Sequence, residues 1–160
     1  PMDYGRASTF VEVAENETVR SAALRLLRQL GYYGVSEVEF KQDERDGSMK
    51  LLEVNARFWG WHTLAKATGI NLPLYLFCDI MNIPYPAAQP LQTKPERWVK
   101  LTTDMPTAFS EMKKGRLSGS RLLRQYFSGK TEFANFDPSD PLPFIWEWLL
   151  IPYLFVKRGF

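Results

Sequence analysis

The sequence predicts an α+β fold: an antiparallel β-sheet with packed helices, followed by a helical C-terminal extension. Two segments within Val35–Asn55 alternate apolar and polar residues, as half-buried strands do. Val19–Leu30 instead repeats apolar residues at helical spacing, and Phe144–Val156 is almost continuously apolar. With 160 residues and 45% hydrophobic content, the chain has the composition of a folded protein with its own core.

The first part of the chain predicts a strand followed by an amphipathic helix. Ser8–Val13 is rich in β-branched and aromatic residues, which favour strands. Asn16 suits the N-cap of the following helix, because its side chain can accept a hydrogen bond from a free backbone N–H. The helical stripe of Val19–Leu30 ends at Gly31, a residue that readily takes the left-handed conformation that terminates helices.

A β-hairpin is predicted next. Val35–Lys41 and Met49–Asn55 both alternate in the manner of strands. The intervening Gln42–Ser48 is rich in turn residues and contains Asp46-Gly47, a favoured pair for tight turns. The two strands should therefore pair in antiparallel fashion.

Beyond the hairpin, the sequence predicts short helices separated by loops. Helices are expected near His62–Thr68, Leu72–Met81, Thr107–Lys114 and Ser120–Phe127. A further strand is expected at Arg97–Thr103, and Asp137–Pro143 should break the chain before the apolar tail. Asn82–Pro95 contains four prolines and is predicted to be a linker or an extended loop.

Composition narrows the functional classes. A formal net charge of +2, from interspersed charges of both signs, gives no reason to expect a nucleic-acid partner. The single cysteine, Cys78, lies in the apolar run Leu74–Ile80 and cannot form a disulfide framework or a cysteine-based zinc site. We therefore expect a buried thiol in a reducing compartment, the cytoplasm.

The predicted hairpin carries the most informative pattern of polar residues. With a turn centred near Asp46, the numbers of paired residues sum to about 92, so Glu39 faces Glu53 and Glu37 faces Asn55. Alternate residues share one face of a strand, so these four side chains should project from the same side. The opposite, core-facing side should be lined by Val38, Phe40, Leu52 and Val54.

Two facing carboxylates destabilise a sheet unless something compensates their charge. A shared proton is one such compensation, and a bound hard cation is another. Magnesium prefers carboxylate and amide oxygens, which Glu39, Glu53 and Asn55 offer, and the lack of histidine and cysteine in this set argues against zinc. The alternative is a solvated outer sheet face on which Lys41 and Lys50 screen the glutamates.

The residues that follow resemble the metal motif of the ATP-grasp family. Glu53-Val54-Asn55-Ala56-Arg57 comes after a strand holding Glu39 and an acidic turn, and fourteen residues separate Glu39 from Glu53. In that family, an acidic or amide residue on one strand precedes a Glu-x-Asn on the next, which commonly continues as Pro-Arg. Ala56 stands where the proline is usual. The resemblance covers roughly Arg6 to Pro84 and is looser beyond it.

The resemblance implies an ATP- and magnesium-dependent ligase that joins a carboxylate to an amine through an acyl phosphate. Glu39, Glu53 and Asn55 would be the ligands of Mg²⁺ or Mn²⁺. Arg57 would be catalytic, contacting the transferred phosphate or the acyl phosphate. Leu52 would border the adenine, although strand alternation places it on the core side. The implied partners are ATP and a small carboxylate and amine pair.

The resemblance also implies a domain division. Residues 1–84 would be the C-terminal lobe of an ATP-grasp domain, and residues 85–160 an extension. Family members hold ATP between two lobes, of which the earlier supplies phosphate-binding lysines and a glycine-rich lid. Neither GxxxxGK[ST] nor GxGxxG occurs in this sequence. We therefore expect part of a longer enzyme, which by itself binds ATP weakly and is inactive.

Two residues near the motif have two interpretations each. His62, the single histidine, is a candidate substrate contact or acid–base group, or a packing residue beside Trp59 and Trp61. Arg6 could face a phosphate or a substrate carboxylate, or could be an ordinary solvated arginine.

The apolar tail and the function class also leave alternatives open. Phe144–Val156 is too short to span a membrane, which takes about twenty apolar residues, and contains Glu147 and Pro152. It could pack on a missing lobe or a subunit, or lie peripherally in a membrane interface. The rival functions are a non-catalytic interaction module and a metal-dependent enzyme that uses the facing glutamates without ATP.

Overall fold

The structure, a computed structural model, describes residues 8–86 and 96–158. It confirms the α+β class and forms two compact units, one comprising Ala14–Gln89 and the other combining the first strand with the elements after residue 90. The elements in chain order are β1 (Phe10–Glu12), α1 (Glu17–Gln29), β2 (Glu37–Gln42), β3 (Met49–Asn55), α2 (Thr63–Ala67), α3 (Leu72–Ile80), β4 (Glu96–Val99), α4 (Leu101–Lys113), α5 (Gly119–Phe127), β5 (Lys130–Phe133), α6 (Leu142–Leu149) and α7 (Ile151–Arg158).

Helix α1 begins and ends as predicted. The Asn16 side chain accepts a hydrogen bond from the backbone N–H of Val19 at 3.1 Å, which satisfies one of the free donors of the first turn. Glu17 in that turn and Arg28 in the last turn complement the helix dipole. Gly31 follows the helix with φ of 60°, a conformation that costs glycine little.

The hairpin of β2 and β3 forms its own two-stranded sheet, as predicted. The turn is closed by a hydrogen bond from the backbone N–H of Gly47 to the carbonyl oxygen of Asp43, at 2.7 Å. Gly47 has φ of 72°, which explains glycine at this position. The strands are close in sequence, so their pairing needs only a short loop closure.

Two short helices complete the hairpin's unit. The side chain of Asn71 caps α3 by accepting from the backbone N–H of Leu74 at 3.2 Å. Leu64 on α2 and Cys78 on α3 are each only 3% exposed. The prediction that Cys78 is a buried free thiol is therefore confirmed.

The other unit contains a three-stranded sheet in the order β1-β4-β5. Strand β1 pairs antiparallel with β4, and β4 pairs parallel with β5. Trp98 and Val99 on β4 are 4% and 0% exposed, so the central strand supplies much of the core. Two buried polar side chains on or beside this strand are paired: Thr9 donates to Asp104 at 2.9 Å, and Arg97 donates to Glu12 at 2.7 Å.

The structure corrects several predictions in this unit. A single antiparallel sheet was expected, whereas the described strands form two sheets, one with the parallel pair β4–β5. The strand predicted at Arg97–Thr103 ends at Val99, because the chain turns into α4 at Leu101. The helix predicted at Thr107–Lys114 is therefore the second half of α4, which tolerates Pro106.

The apolar tail forms α6 and α7, and its single carboxylate faces inward. Glu147 accepts hydrogen bonds from Thr102 at 3.0 Å and Asn135 at 3.2 Å, and lies 3.5 Å from the Lys100 ammonium. The opposite face of α6 is solvent-exposed and apolar, with the exposed side chains Leu142, Ile145, Trp146 and Leu149. Within the described ranges, no helix is both long enough and apolar enough to cross a bilayer.

The two compact units do not coincide with the predicted division at residue 84. Strand β1 belongs with the later elements, because it pairs with β4 across more than eighty residues of sequence. The compact units are defined by contacts between residues, whereas the predicted division separates a family lobe from an extension. The division into residues 1–84 and 85–160 therefore stays a prediction.

Candidate functional site

The register of the hairpin brings the predicted polar residues together. Glu39 pairs with Glu53, and Glu37 pairs with Asn55, as the sequence predicted. Alternate positions of a strand share one face, so all four side chains project from the same side of the sheet. The geometric premise of the predicted cation site is thus confirmed at the level of strand register.

Side-chain contacts connect the members of this polar face. The Asn55 amide nitrogen donates to Glu53 Oε1 at 2.7 Å and, at 3.4 Å, to Glu37 Oε2. The Asn55 carbonyl oxygen accepts from the Arg57 guanidinium at 3.4 Å. The Asn55 side-chain amide therefore lies between two carboxylates on its nitrogen side and the Arg57 guanidinium on its oxygen side. This matches the partial charges of the amide atoms.

The surroundings of Glu37 on this face shift its ionisation. The pKa of Glu37 is raised above its ordinary value, chiefly by partial burial and next by the charge of the neighbouring Glu39. A hydrogen bond with Glu39 raises the pKa further, whereas Asn55 and the charge of Arg57 act in the opposite direction. Burial and the neighbouring Glu39 therefore outweigh the effects of Asn55 and Arg57 on the pKa of Glu37.

Arg57 and His62 lie in the aromatic segment that follows β3. One Arg57 nitrogen donates to the carbonyl oxygen of Phe58 at 3.2 Å, which helps to orient the guanidinium. His62 Nδ1 lies 2.8 Å from the carbonyl oxygen of Trp59, and its ring is 5.2 Å from that of Phe58. A carbonyl oxygen only accepts, so Nδ1 carries a proton and Nε2 is the nitrogen left for other partners.

These contacts support the packing interpretation of His62. The ring is part-buried, at the N-cap of α2, and within an aromatic group that also includes the edge-on pair Trp59 and Trp61, 5.3 Å apart. Contact with substrate through Nε2 stays a prediction.

A β-bulge alters the apolar side of the hairpin. The register shifts between Glu39 and Phe40, so Phe40 pairs with Leu51 and not with Leu52. Leu52 is 55% exposed and Val54 is 36% exposed. The expectation that Leu52 and Val54 line a core is therefore wrong for the described residues. A bulge inserts one unpaired residue, which no alternation pattern can reveal.

The predicted donor set consists of oxygen atoms, which suit a hard cation. Within residues 8–86 and 96–158, no three histidine, cysteine, aspartate or glutamate side chains are grouped so as to hold a metal ion. The predicted set differs, because it combines the carboxylates of Glu39 and Glu53 with the amide oxygen of Asn55. Carboxylate and amide oxygens that share one face are the donors that Mg²⁺ prefers.

Two remaining observations concern residues away from this face. Arg6 lies outside the described residues, so its predicted contact with an anion stays untested. An open surface depression of about 370 Å³ is lined by α1 alone, and it contains none of the predicted site residues.

Sequence reasoning placed Glu37 on the polar face but gave it no function, and only its contacts with Asn55 and Glu39 distinguish it.

One family model and two curated proteins are similar to this chain. A family model described as ATP-grasp in the biosynthetic pathway with Ter operon matches residues 4–104, which include the whole hairpin and Arg57. The D-aspartate ligase of Enterococcus faecium is 24% identical over 144 residues, which cover 88% of this chain and 33% of the ligase. Acetyl-CoA carboxylase of Saccharomyces cerevisiae is 33% identical over 85 residues, covering 52% of this chain and 4% of the carboxylase.

The coverage of these relatives is partial. The chain spans about a third of the length of the D-aspartate ligase it matches. No solved structure matches the chain significantly.

Proposed function

Because this chain belongs to the ATP-grasp family whose model it matches, we propose that it forms the metal- and phosphate-facing part of a carboxylate–amine ligase. The observation that carries the proposal is the shared face of Glu39, Glu53 and Asn55 on β2 and β3, with Arg57 beside it. The likeness to a D-aspartate ligase supports a ligase reaction. A small amino acid is accordingly the substrate class we propose for the amine or the carboxylate.

The proposed reaction has two balanced steps. A carboxylate oxygen attacks the γ-phosphorus of ATP, the bond to the β,γ-bridging oxygen breaks, and ADP leaves an acyl phosphate. An amine then attacks the acyl carbon, the bond between that carbon and the phosphate oxygen breaks, inorganic phosphate leaves, and the amine loses a proton as the amide forms. Both steps depend on charge neutralisation and positioning more than on covalent catalysis by the protein.

The residues of the polar face have separate functions in this proposal. Glu39, Glu53 and Asn55 would hold Mg²⁺ or Mn²⁺, which supplies positive charge to the phosphate oxygens. Arg57 binds oxygens of the transferred phosphate, for which a planar guanidinium offers two parallel donors. Asn55 and the carbonyl of Phe58 orient that guanidinium. Leu52, an exposed residue of the strand that carries Glu53, is the proposed apolar neighbour of the adenine.

We expect the 160 residues alone to bind ATP weakly. The chain corresponds to about a third of the D-aspartate ligase. We expect ligation to need further residues, equivalent to the part of that ligase that the match does not cover. Its partners in that reaction would be ATP and the small carboxylate and amine.

Hydrogen exchange of the hairpin amides tests the proposal on the chain itself. Exchange is measured without ligand, with Mg²⁺, with ATP, and with both, in the chain and in Glu53→Gln. We expect protection of β2 and β3 with Mg²⁺ that increases when ATP is added, and that is lost in the variant. Protection by Mg²⁺ that ATP leaves unchanged would favour the metal-dependent enzyme without ATP. No protection under any condition would contradict the proposal and favour an interaction module.

A further inference from the structure

Glu37 lies next to the proposed cation ligands but is not one of them. It is the direct cross-strand partner of Asn55, and its side chain is part-buried. Its Oε2 accepts from the Asn55 amide nitrogen at 3.4 Å. Its carboxyl also contacts Glu39 on the same strand face, two residues away.

The Asn55 amide has two competing carboxylate acceptors on its nitrogen side. The nearer is Glu53 at 2.7 Å, and the second is Glu37. In the proposed function Glu53 gives its oxygens to a cation, and an oxygen that binds a cation accepts hydrogen bonds less well. Glu37 is then the acceptor, among the contacts described, that still holds the amide nitrogen.

The orientation of the amide decides what Asn55 offers to a cation. Only the carbonyl oxygen of an asparagine can bind a hard cation, since the amide nitrogen carries two protons and no available lone pair. In the structure the amide nitrogen donates to Glu53 and the amide oxygen accepts from Arg57. Binding of a cation by Glu53 therefore requires the amide to turn its oxygen toward the cation, with its nitrogen held by Glu37. Groups that orient a ligand in this way affect metal affinity although they do not touch the metal.

We propose that Glu37 is a positioning residue, which holds the Asn55 amide nitrogen so that the amide oxygen faces the cation; this rests on the function proposed above. An acceptor oxygen at position 37 is what the geometry requires, and a full negative charge is not. Glutamine at this position should therefore preserve the effect, and an apolar residue of similar size should remove it.

The test measures the Mn²⁺ dissociation constant of the 160-residue chain by electron paramagnetic resonance, for five proteins at one pH. The variants are Glu37→Gln, Glu37→Leu, Glu53→Gln and Glu44→Leu. Glu44 is an exposed residue of the hairpin turn, so Glu44→Leu removes a charge of the same sign without touching Asn55. Far-ultraviolet circular dichroism checks that each variant folds.

Glu37→Leu should weaken Mn²⁺ binding about tenfold, in the range found for residues that orient metal ligands. The Mn²⁺ dissociation constants of Glu37→Gln and Glu44→Leu should stay within about threefold of that of the unmodified chain. Glu37→Gln keeps the orienting acceptor, and Glu44→Leu leaves the whole polar face unchanged. The side-chain amide resonances of Asn55, assigned through Asn55→Asp, should shift in Glu37→Leu and much less in Glu37→Gln. Rescue by glutamine is the result that a merely structural carboxylate would not produce.

The outcomes separate this proposal from the one on which it rests. Unchanged Mn²⁺ binding in Glu53→Gln overturns the proposed cation site, whatever Glu37 does. Weakened binding in Glu53→Gln with normal binding in Glu37→Leu keeps the cation site and overturns the positioning function. Equal losses in Glu37→Gln and Glu37→Leu also overturn it, because they assign the effect to the charge of Glu37.

Discussion

The polar face of the hairpin and the helix α6 use carboxylates in opposite ways. In α6, Glu147 is turned inward and is 17% exposed, with a hydroxyl, an amide and an ammonium around it. On the hairpin, the contacts of Glu37, Glu39 and Glu53 are made largely with each other and with Asn55. A carboxylate with compensating partners contributes to stability, whereas crowded carboxylates cost stability and suit the binding of a cation.

The largest expected effect is on kcat, and it should differ between Arg57 on the hairpin and Lys100 beside Glu147. In an active ligase that contains this chain, Arg57→Lys should lower kcat about a hundredfold, since a point charge cannot replace the two donors of a guanidinium. Lys100→Arg is the matched exchange beside Glu147, where a single cation 3.5 Å away is the contact. It should leave kcat within about twofold. Equal losses of kcat in the two variants would remove the distinction between the regions.

Removing the inward carboxylate of α6 should have the next largest effect. Glu147→Ala leaves Thr102, Asn135 and Lys100 without a partner that they now share, so the free energy of unfolding should fall by about 1–3 kcal/mol. Glu147→Gln keeps an acceptor and should cost less. Urea denaturation followed by circular dichroism measures both, and an unchanged midpoint in Glu147→Ala would refute the structural assignment.

Neutralising a carboxylate on the hairpin should raise the free energy of unfolding, in contrast to the loss expected at Glu147. Without metal, Glu53→Gln relieves the repulsion between facing Glu39 and Glu53 and should raise the free energy of unfolding by about 0.2–1 kcal/mol. The same urea titration measures it, with Glu44→Gln as the control. A clear destabilisation would show that Glu53 contributes to the fold in the manner of Glu147.

The pH dependence of stability should show the partial burial of Glu37 and its proximity to Glu39. Its pKa is raised in the folded chain, so the folded state holds this proton more tightly than the unfolded state does. Stability from this group is therefore present below the ordinary glutamate pKa, and it is lost as pH rises from there through the raised value. Urea midpoints across that window should fall less in Glu37→Gln than in the unmodified chain. An identical pH dependence would contradict the assignment.

The outward face of α6 should contribute least to stability. Ile145 and Leu149 are 46% and 62% exposed, so exchanging both for serine should change the free energy of unfolding by less than about 0.5 kcal/mol per site. Flotation with liposomes then distinguishes the two interpretations of the tail. Loss of flotation in the double variant would support a membrane contact, and absence of flotation in the unmodified chain would support packing on protein.

The hairpin was predictable because its determinants are local. The bounds of β3, the glycine of the turn and the pairing of Glu39 with Glu53 all follow from alternation and turn chemistry. The bulge after Glu39 does not follow, since it depends on how the strands twist against each other. The contacts of Glu37 with Asn55 and Glu39 also needed the three-dimensional arrangement.

Non-local pairing explains what the sequence did not reveal. Strand β5 joins β4 in parallel, so nothing adjacent in the chain marks Lys130–Phe133 as a strand. Thr102 and Thr103 favour a strand by propensity, yet they lie in the first turn of α4, where Thr102 also donates to Glu147. The inward direction of Glu147 likewise depends on Lys100 and Asn135, residues of two other segments.

Binding of a divalent cation to the polar face of the hairpin can be followed by paramagnetic broadening as Mn²⁺ is titrated into the ¹⁵N-labelled chain. We expect the backbone amides of Glu39, Glu53 and Asn55 to broaden first, and excess Mg²⁺ to restore them. Broadening centred on the turn carboxylates Asp43 and Asp46, with these three amides unaffected, would contradict binding at this face.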